Sequence, residues 1–295
     1  ITTGEMEGID VSNVRNFFLY NVTVQNCVSD ALDADANGGD NAKMIITNCK
    51  FLDNDGMANH LYDVDNSIIS NNIYINNIAA EVGSQAQAAI DVNANSGDLS
   101  NKSLGVIISK NTFLNNPTAF FNLGGEVLFI GNNIKNCFAT QAINGYAVLS
   151  SDTLTSVIDN VIDSTSNGAI VGQFGLIKGN QIKNAGGDGI RLSTNFSQFT
   201  GVVEDNDIFN STDYGIFASS VIAVMINNRI NKTGLDGIRT SSSAAGTKIK
   251  GGYVKYAGDD GIECLGQSTV SDVEIYNCAD RGIQFASVNT LNSVL

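Results

Sequence analysis

The chain of 295 residues has no tryptophan, one proline and one histidine. A lone histidine, His60, excludes the multi-histidine sets that hold catalytic zinc. The single proline leaves regular strands free to run without interruption. No run of about 20 apolar residues is present, which argues against insertion in a membrane. No secretory signal stands at Ile1, and both ends carry repeat-like sequence where a solenoid wants polar caps, so the sequence reads as a piece of a longer protein. Positive charge is scarce as well. Lys and Arg number 16 against 30 Asp and Glu, a net charge of −14. Nucleic acid is a poor partner for such a chain, because phosphate contacts need clustered cations.

What is present is a short unit that returns along the whole chain: a small residue, a bulky apolar one, a polar one and another apolar one. The apolar place falls at Ile9, Leu32, Tyr62, Ile90, Phe120, Ile143, Ile170, Ile190, Ile216, Ile238, Ile262 and Ile283, in steps of 20 to 30 residues. Gly or Ala precedes it everywhere except at Leu61. Steps of varying length imply loops of changing size on a fixed frame. Further along each unit comes an Asn, at Asn72, Asn111, Asn132, Asn160, Asn180, Asn206 and Asn228, with Cys49 and Gly252 in the equivalent flanking places. Two residues later runs an apolar column from Phe51 to Val254. Short alternating runs of Val, Ile and Phe broken by Gly and Asn predict strands, and no stretch sustains a helical period. Units this short cannot bury an apolar face alone, so they must stack as a parallel coil at roughly 4.8 Å per rung. Stacked Asn amides would bond from coil to coil and tolerate left-handed backbone at a corner. The repeat never pauses, which predicts a single domain over 1–295.

These Gly/Ala-Ile units and the Asn column resemble the right-handed parallel β-helix proteins of the pectate-lyase-like group over nearly the whole chain. The resemblance implies an all-β, right-handed, single-stranded parallel β-helix of about 11 to 12 coils. Members include polysaccharide lyases, glycoside hydrolases, uronan epimerases and bacteriophage tailspikes or appendages. A polysaccharide or cell-wall or capsular glycan is therefore the implied partner, and an extracellular or virion-surface location on a phage tail the implied setting. Trimerisation is a further expectation by analogy with tailspikes.

Five cysteines are an odd set. Cys27, Cys137 and Cys278 take the same place in units several coils apart and cannot meet, while Cys49 sits in the Asn column and Cys264 points inward. Free thiols are expected, which argues mildly against a secreted disulfide scaffold.

The acid is unevenly spread. Residues 1–101 hold 14 acidic groups against Arg15, Lys43 and Lys50. Aligned on the repeat, Asp10, Asp33, Asp63 and Asp91 form one outward column, Ser12, Asp35, Asp65 and Asn93 the next, and Glu7, Asp30 and His60 a third. Like charges stacked on adjacent strands repel, so a column of carboxylates without basic neighbours points to a functional site. The spacing admits the carboxylate pairs of both retaining and inverting glycosidases, and crowding would raise one pKa as a general acid requires. Asp10, Asp33, Asp35, Asp63, Asp65 and Asp91 are thus the catalytic candidates, and Glu7, Asp30, His60 and Asn93 the substrate-binding ones. Segments 36–43, 79–88 and 94–104 are long enough to wall a cleft beside them. Tyr62 and Phe121 are candidates for a sugar-stacking surface, although Tyr62 is read as facing the core. Asp33, Asp35 and Asn37-Gly38 imitate the start of an EF-hand loop, but Met44 stands where the bidentate Glu belongs. Ca²⁺ held among Asp33, Asp35 and Asp63 stays open as a cofactor; no other is expected.

Near the C-terminus the same corner alternates acid and base. Asp before Gly suits a turn, and Arg191, Arg239 and Arg281 can pair with those acids. Arg191, Arg239 and Glu263 are the substrate-binding candidates of that half. Uronan lyase or epimerase chemistry is the rival enzymatic reading, held back by the lack of bases to neutralise a substrate carboxylate on the acidic face. A non-catalytic glycan receptor or a structural β-helix is the rival from another class.

Overall fold

The computed structural model describes residues 7–11, 14–35, 43–78, 88–93, 103–139, 145–193, 200–286 and 290–292, and among them every regular element is a β-strand. The chain divides into two compact units, Ile1–Thr155 and Ser156–Leu295. Each is a parallel β-solenoid built from three sheets.

In the first unit one sheet runs in the order Ile9–Asp10, Leu32–Asp35, Asn59–Tyr62, Ile90–Asn93, Phe120–Asn122 and Val148–Ser151. A second begins at Asn16–Tyr20 and a third at Thr23–Gln25, and each receives one strand per coil. The second unit repeats the plan. Its first sheet is Ile170–Gln173, Ile190–Leu192, Ile216–Ala218, Ile238–Thr240, Ile262–Cys264 and Ile283–Phe285, and its third includes Gln181–Ala185, Asp207–Ser211, Arg229–Thr233 and Tyr253–Ala257. Within each unit neighbouring strands pair in parallel, as the expected parallel β-helix requires.

Strand alternation puts every second side chain inside. Phe51, Tyr74 and Phe113 stack down the core with ring centroids 5.2 and 4.8 Å apart. The small residue ahead of each apolar place is needed because the next coil's backbone lies against it: a Cβ on Gly189 would stand 2.7 Å from the Gly215 carbonyl oxygen.

The Asn column forms as expected. Asn180 Nδ2 and its backbone N–H both donate to Asn206 Oδ1, at 2.9 and 3.0 Å, and Asn206 repeats the pattern onto Asn228. Cys49 joins it by donating its backbone N–H to Asn72 Oδ1. The left-handed residue, however, is the one before the ladder: Asn71, Lys110, Gly131, Asp159, Gly179, Asp205 and Asn227 carry positive φ, whereas the ladder Asn residues do not. The ladder amide faces inward and bonds, so the turn is made by its neighbour. A second buried ladder, Asn54, Asn77 and Asn116, follows the third sheet. Its place is taken elsewhere by Cys27 and Cys137, which accounts for their shared position in the repeat; all five cysteines are free.

Two places in the repeat need correction. Phe120 pairs with Val148, so Ala147-Val148 holds the rung assigned to Ala142-Ile143, and those two lie outside the described residues. Ile90 pairs with Asn59, not Tyr62. Restoring the small residue explains the shift: Ala58 precedes Asn59, and a buried Asn stands in the apolar place.

Candidate functional site

That three-residue shift rebuilds the acidic face. Asp10 stands beside Asp33, Asp33 beside His60, and His60 beside Asp91, on four successive strands of the first sheet. Two residues further along the strands, Asp35, Tyr62 and Asn93 share the next register position. Asp63 and Asp65, expected in these columns, are not in them. Asp63 follows the strand in a left-handed turn with φ of 52° and is buried, and Asp65 lies beyond it, accepting the Leu104 backbone N–H at 2.7 Å. Asp10 is exposed and Glu7 half-buried ahead of Ile9–Asp10. The Asp35 side chain, Ser12 and the loop segments 36–42, 79–87 and 94–102 lie outside the described set.

His60 is the hub. Its Nδ1 lies 3.3 Å from Asp30 Oδ2 and 3.3 Å from Asp33 Oδ1, and its Nε2 lies 3.9 Å from Asp91 Oδ2. Burial alone would push the imidazole pKa down. The carboxylates of Asp30 and Asp33, with the charge of Asp91, outweigh burial and carry it up to about 10. His60 is therefore an imidazolium at neutral pH. Asp91 points outward from its strand yet is only 2% exposed, which corrects the expectation of a solvated column. Burial lifts its carboxyl to about 7 against the opposing pull of His60 and of Asn93, whose Nδ2 donates to Asp91 Oδ2 at 2.8 Å. Asp91 Oδ1 and Asn93 Oδ1 are buried and find no hydrogen-bond partner among the described residues. Buried oxygens of this kind are satisfied when a ligand or water donates to them.

Tyr62 is half-buried on the outer face, its ring edge-on to His60 at 4.3 Å, so it does not face the core. Phe121 is 5% exposed and offers no stacking surface.

The Ca²⁺ set Asp33, Asp35 and Asp63 is broken by the removal of Asp63 from the column. The acids that converge instead are Asp30 and Asp33, together with His60. Ca²⁺ takes six to eight oxygen ligands, and this cluster offers two carboxylates and a ring nitrogen. The donor set does not fit that ion well.

In the second unit the outward column of the first sheet reads Arg191, Phe217, Arg239 and Glu263. Arg191 Nε meets Asp188 Oδ2 at 2.5 Å and its guanidinium lies 5.1 Å over the Phe217 ring. Arg239 Nη1 reaches Glu263 at 3.0 Å, Asp236 at 3.7 Å and the Tyr214 hydroxyl at 2.8 Å. Burial raises the pKa of both Asp188 and Asp236, the latter to about 6.

Sequence reasoning missed one shared device. Asp30, Asp188, Asp236 and Asp260 each stand two residues before the apolar place, and each accepts a backbone N–H of the following coil, from Met57, Tyr214, Asp260 and Arg281. The other oxygen faces a cation: His60, Arg191, Arg239 or Arg281. The recurrence of Asp-Ala-Leu and Asp-Gly-Ile was the signal.

No protein-family model and no curated protein sequence matches the chain. Among solved structures it is similar to the periplasmic alginate epimerase AlgG, with 12% identity and a TM-score of 0.62, over 89% of this chain and 69% of that one. It is similar to the catalytic unit of a GH87 α-1,3-glucanase from Streptomyces thermodiastaticus, with 13% identity and a TM-score of 0.53, over 97% of this chain and 60% of that one. The third is tailspike protein 3 of bacteriophage CBA120, with 13% identity, a TM-score of 0.54 and coverage of 97% and 54%. The chain thus spans between half and about two thirds of the length of these structures. At such identities the likeness is one of fold, and the fold is a parallel β-helix.

Proposed function

We propose that the chain binds a polysaccharide along its acidic face and hydrolyses it, with Asp91 as general acid and Asp33 as general base. The observation that carries this reading is the aligned triplet Asp33, His60 and Asp91 on one outward column. Two strand spacings, about 9 to 10 Å, separate the two backbones. Both carboxyl groups lean in on the one imidazole, at 3.3 and 3.9 Å from its two nitrogens, which brings them within the range of about 6.5 to 9.5 Å of inverting glycosidases. Asp91 carries a proton near neutral pH and gives it to the glycosidic oxygen as the bond to the anomeric carbon breaks. A water attacks that carbon from the opposite face and loses its proton to the Asp33 carboxylate. The imidazolium of His60 lies between the two acids and screens them from one another.

The sugar at the point of cleavage is neutral in this reading, because Asp10, Asp30 and Asp33 would repel a uronate. Likeness to an alginate epimerase supports a glycan partner in general, as does likeness to a glucanase and a tailspike. Proton abstraction next to a uronate carboxylate needs a base free of its own proton, and His60 holds its proton too firmly to be that base. The tailspike likeness also supports a place on a phage tail or another extracellular surface, and a trimer, which sedimentation would detect.

The test is incubation with neutral capsular and cell-wall polysaccharides, following new reducing ends and the anomer formed. Wild-type protein should release inverted product, and Asp33→Asn and Asp91→Asn should lower the rate by about 10² to 10⁴. Unsaturated sugar ends would establish a lyase instead. Retained glycan with no product from any variant would establish a binder. Chelation with EDTA should leave the rate unchanged, since His60 already supplies the positive charge between Asp30 and Asp33.

A further inference from the structure

The third sheet of the second unit carries a feature unrelated to the acidic face. Its strands Gln181–Ala185, Asp207–Ser211, Arg229–Thr233 and Tyr253–Ala257 present a concave groove of about 440 Å³ on their outer side. Two outward columns line it, one with Lys183, Phe209 and Asn231, the other with Gln181, Asp207, Arg229 and Tyr253. Lys255 continues the first column beyond the groove.

Phe209 is 44% exposed, an unusual state for a phenylalanine on a strand whose own core position, Ile208, is filled. Two side-chain amides share the groove with the ring. Asn231 stands on the next strand in the same column and Gln181 in the adjacent column. An open aromatic face bordered by groups that both donate and accept hydrogen bonds matches a sugar ring, whose C–H face is apolar and whose rim is hydroxylated.

Charge narrows the class. The acid in the groove is already neutralised: Arg229 grips Asp207 with two hydrogen bonds, one of them from Nη2 to Oδ2 at 2.6 Å. The cations are not. Lys183 has no ion-pair partner within 4 Å among the described residues, although Asp163 stands opposite it on the neighbouring strand, where Asn184 and Ser164 both donate to Asp163 Oδ1. Lys255 rests on aromatic faces alone, 4.3 Å from the Tyr253 centroid and 5.1 Å from that of Tyr276. In a chain of net charge −14, this strip offers two ammonium groups without an ion pair among the described residues, one and two strands from an exposed ring.

We propose that this groove is a second, non-catalytic glycan-binding site, selective for uronate-containing oligosaccharides, with Phe209 under the sugar ring and Lys183 on its carboxylate. The site does not rest on hydrolysis at the acidic face, and neither side chain belongs to that face. A polymer that alternates neutral and acidic sugars would have a use for both surfaces.

The experiment is calorimetric titration of the full chain with oligogalacturonates and, in parallel, with neutral gluco-oligosaccharides of the same length. The acidic series should bind, and more weakly as salt rises. Phe209→Ala should weaken it about tenfold, the usual loss for a buried aromatic anchor. Lys183→Gln should bring the acidic series down to the level of the neutral one. Both residues are exposed, so melting curves like that of the wild type should accompany these losses. Equal binding of acidic and neutral series, absence of binding, or wild-type affinity in both variants would each overturn the proposal. So would competition by single-stranded DNA as effective as that by the uronates, which would mark a generic anion strip.

Discussion

His60 and Asp91 show how far a single side chain departs from its solution behaviour when strands stack it against its own kind. An imidazole between two carboxylates cannot easily lose its proton, and a carboxyl buried beyond it cannot easily lose one either. If Asp91 is the general acid, activity falls as pH rises through about 7, and Asp91→Asn abolishes that limb together with most of the turnover. A pH–rate profile of wild type and variant checks it; an unchanged alkaline limb in Asp91→Asn would assign the titration to another group. The sequence made Asp10, Asp33 and Asp91 legible because each follows an apolar place. It placed His60 in the wrong column, with Glu7 and Asp30, because Leu61-Tyr62-Asp63 copies the pattern of its neighbours three residues too late. The one violation of the small-residue rule, at Leu61, marked the slip. Correcting it means accepting Asn59 in the core, which hydrophobic periodicity alone disfavours.

At the scale of the element, the rungs are held by amides as much as by apolar contact. Asn206 Oδ1 accepts two hydrogen bonds from Asn180, and its Nδ2 donates to Ile177 O and Glu204 O at 3.0 Å each. Asn206→Ala leaves these buried groups without partners and should cost roughly 2 to 4 kcal/mol, read from denaturant unfolding. A loss well under 1 kcal/mol would mean that water fills the gap. Asn59→Leu should act the other way. The amide is fully buried in a place that apolar residues fill on the adjacent strands, so the swap should stabilise by about 1 kcal/mol. Destabilisation would instead assign the amide a bond worth keeping. The main ladder was readable because one Asn recurs at a fixed offset from an apolar column. The second ladder of Asn54, Asn77 and Asn116 was not, since Cys27, Cys137 and Thr165 share its place and break the pattern.

On the scale of the whole molecule, four groups lean the same way. Asp91 in the first unit and Asp188 and Asp236 in the second have carboxyl pKa values raised, to about 7 for Asp91 and about 6 for Asp236, and His60 is raised to about 10. Each binds its proton more tightly folded than unfolded. At these four groups the folded chain therefore carries more protons than the unfolded one from the ordinary carboxylate range, about pH 4, up to about 10. Stability consequently falls as pH rises across that interval: the carboxyl contributions go first, as the pH passes 6 and 7, and that of His60 between about 6.5 and 10. The net charge of −14 adds self-repulsion in the same direction. Melting temperatures at pH 5, 7 and 9 should decrease in that order, and Asp91→Asn and Asp236→Asn should each flatten the slope between pH 5 and 7. A maximum at neutral pH would mean that these acids are charged and well paired in the folded state. In that case Asp91 could not be holding the proton that hydrolysis asks of it.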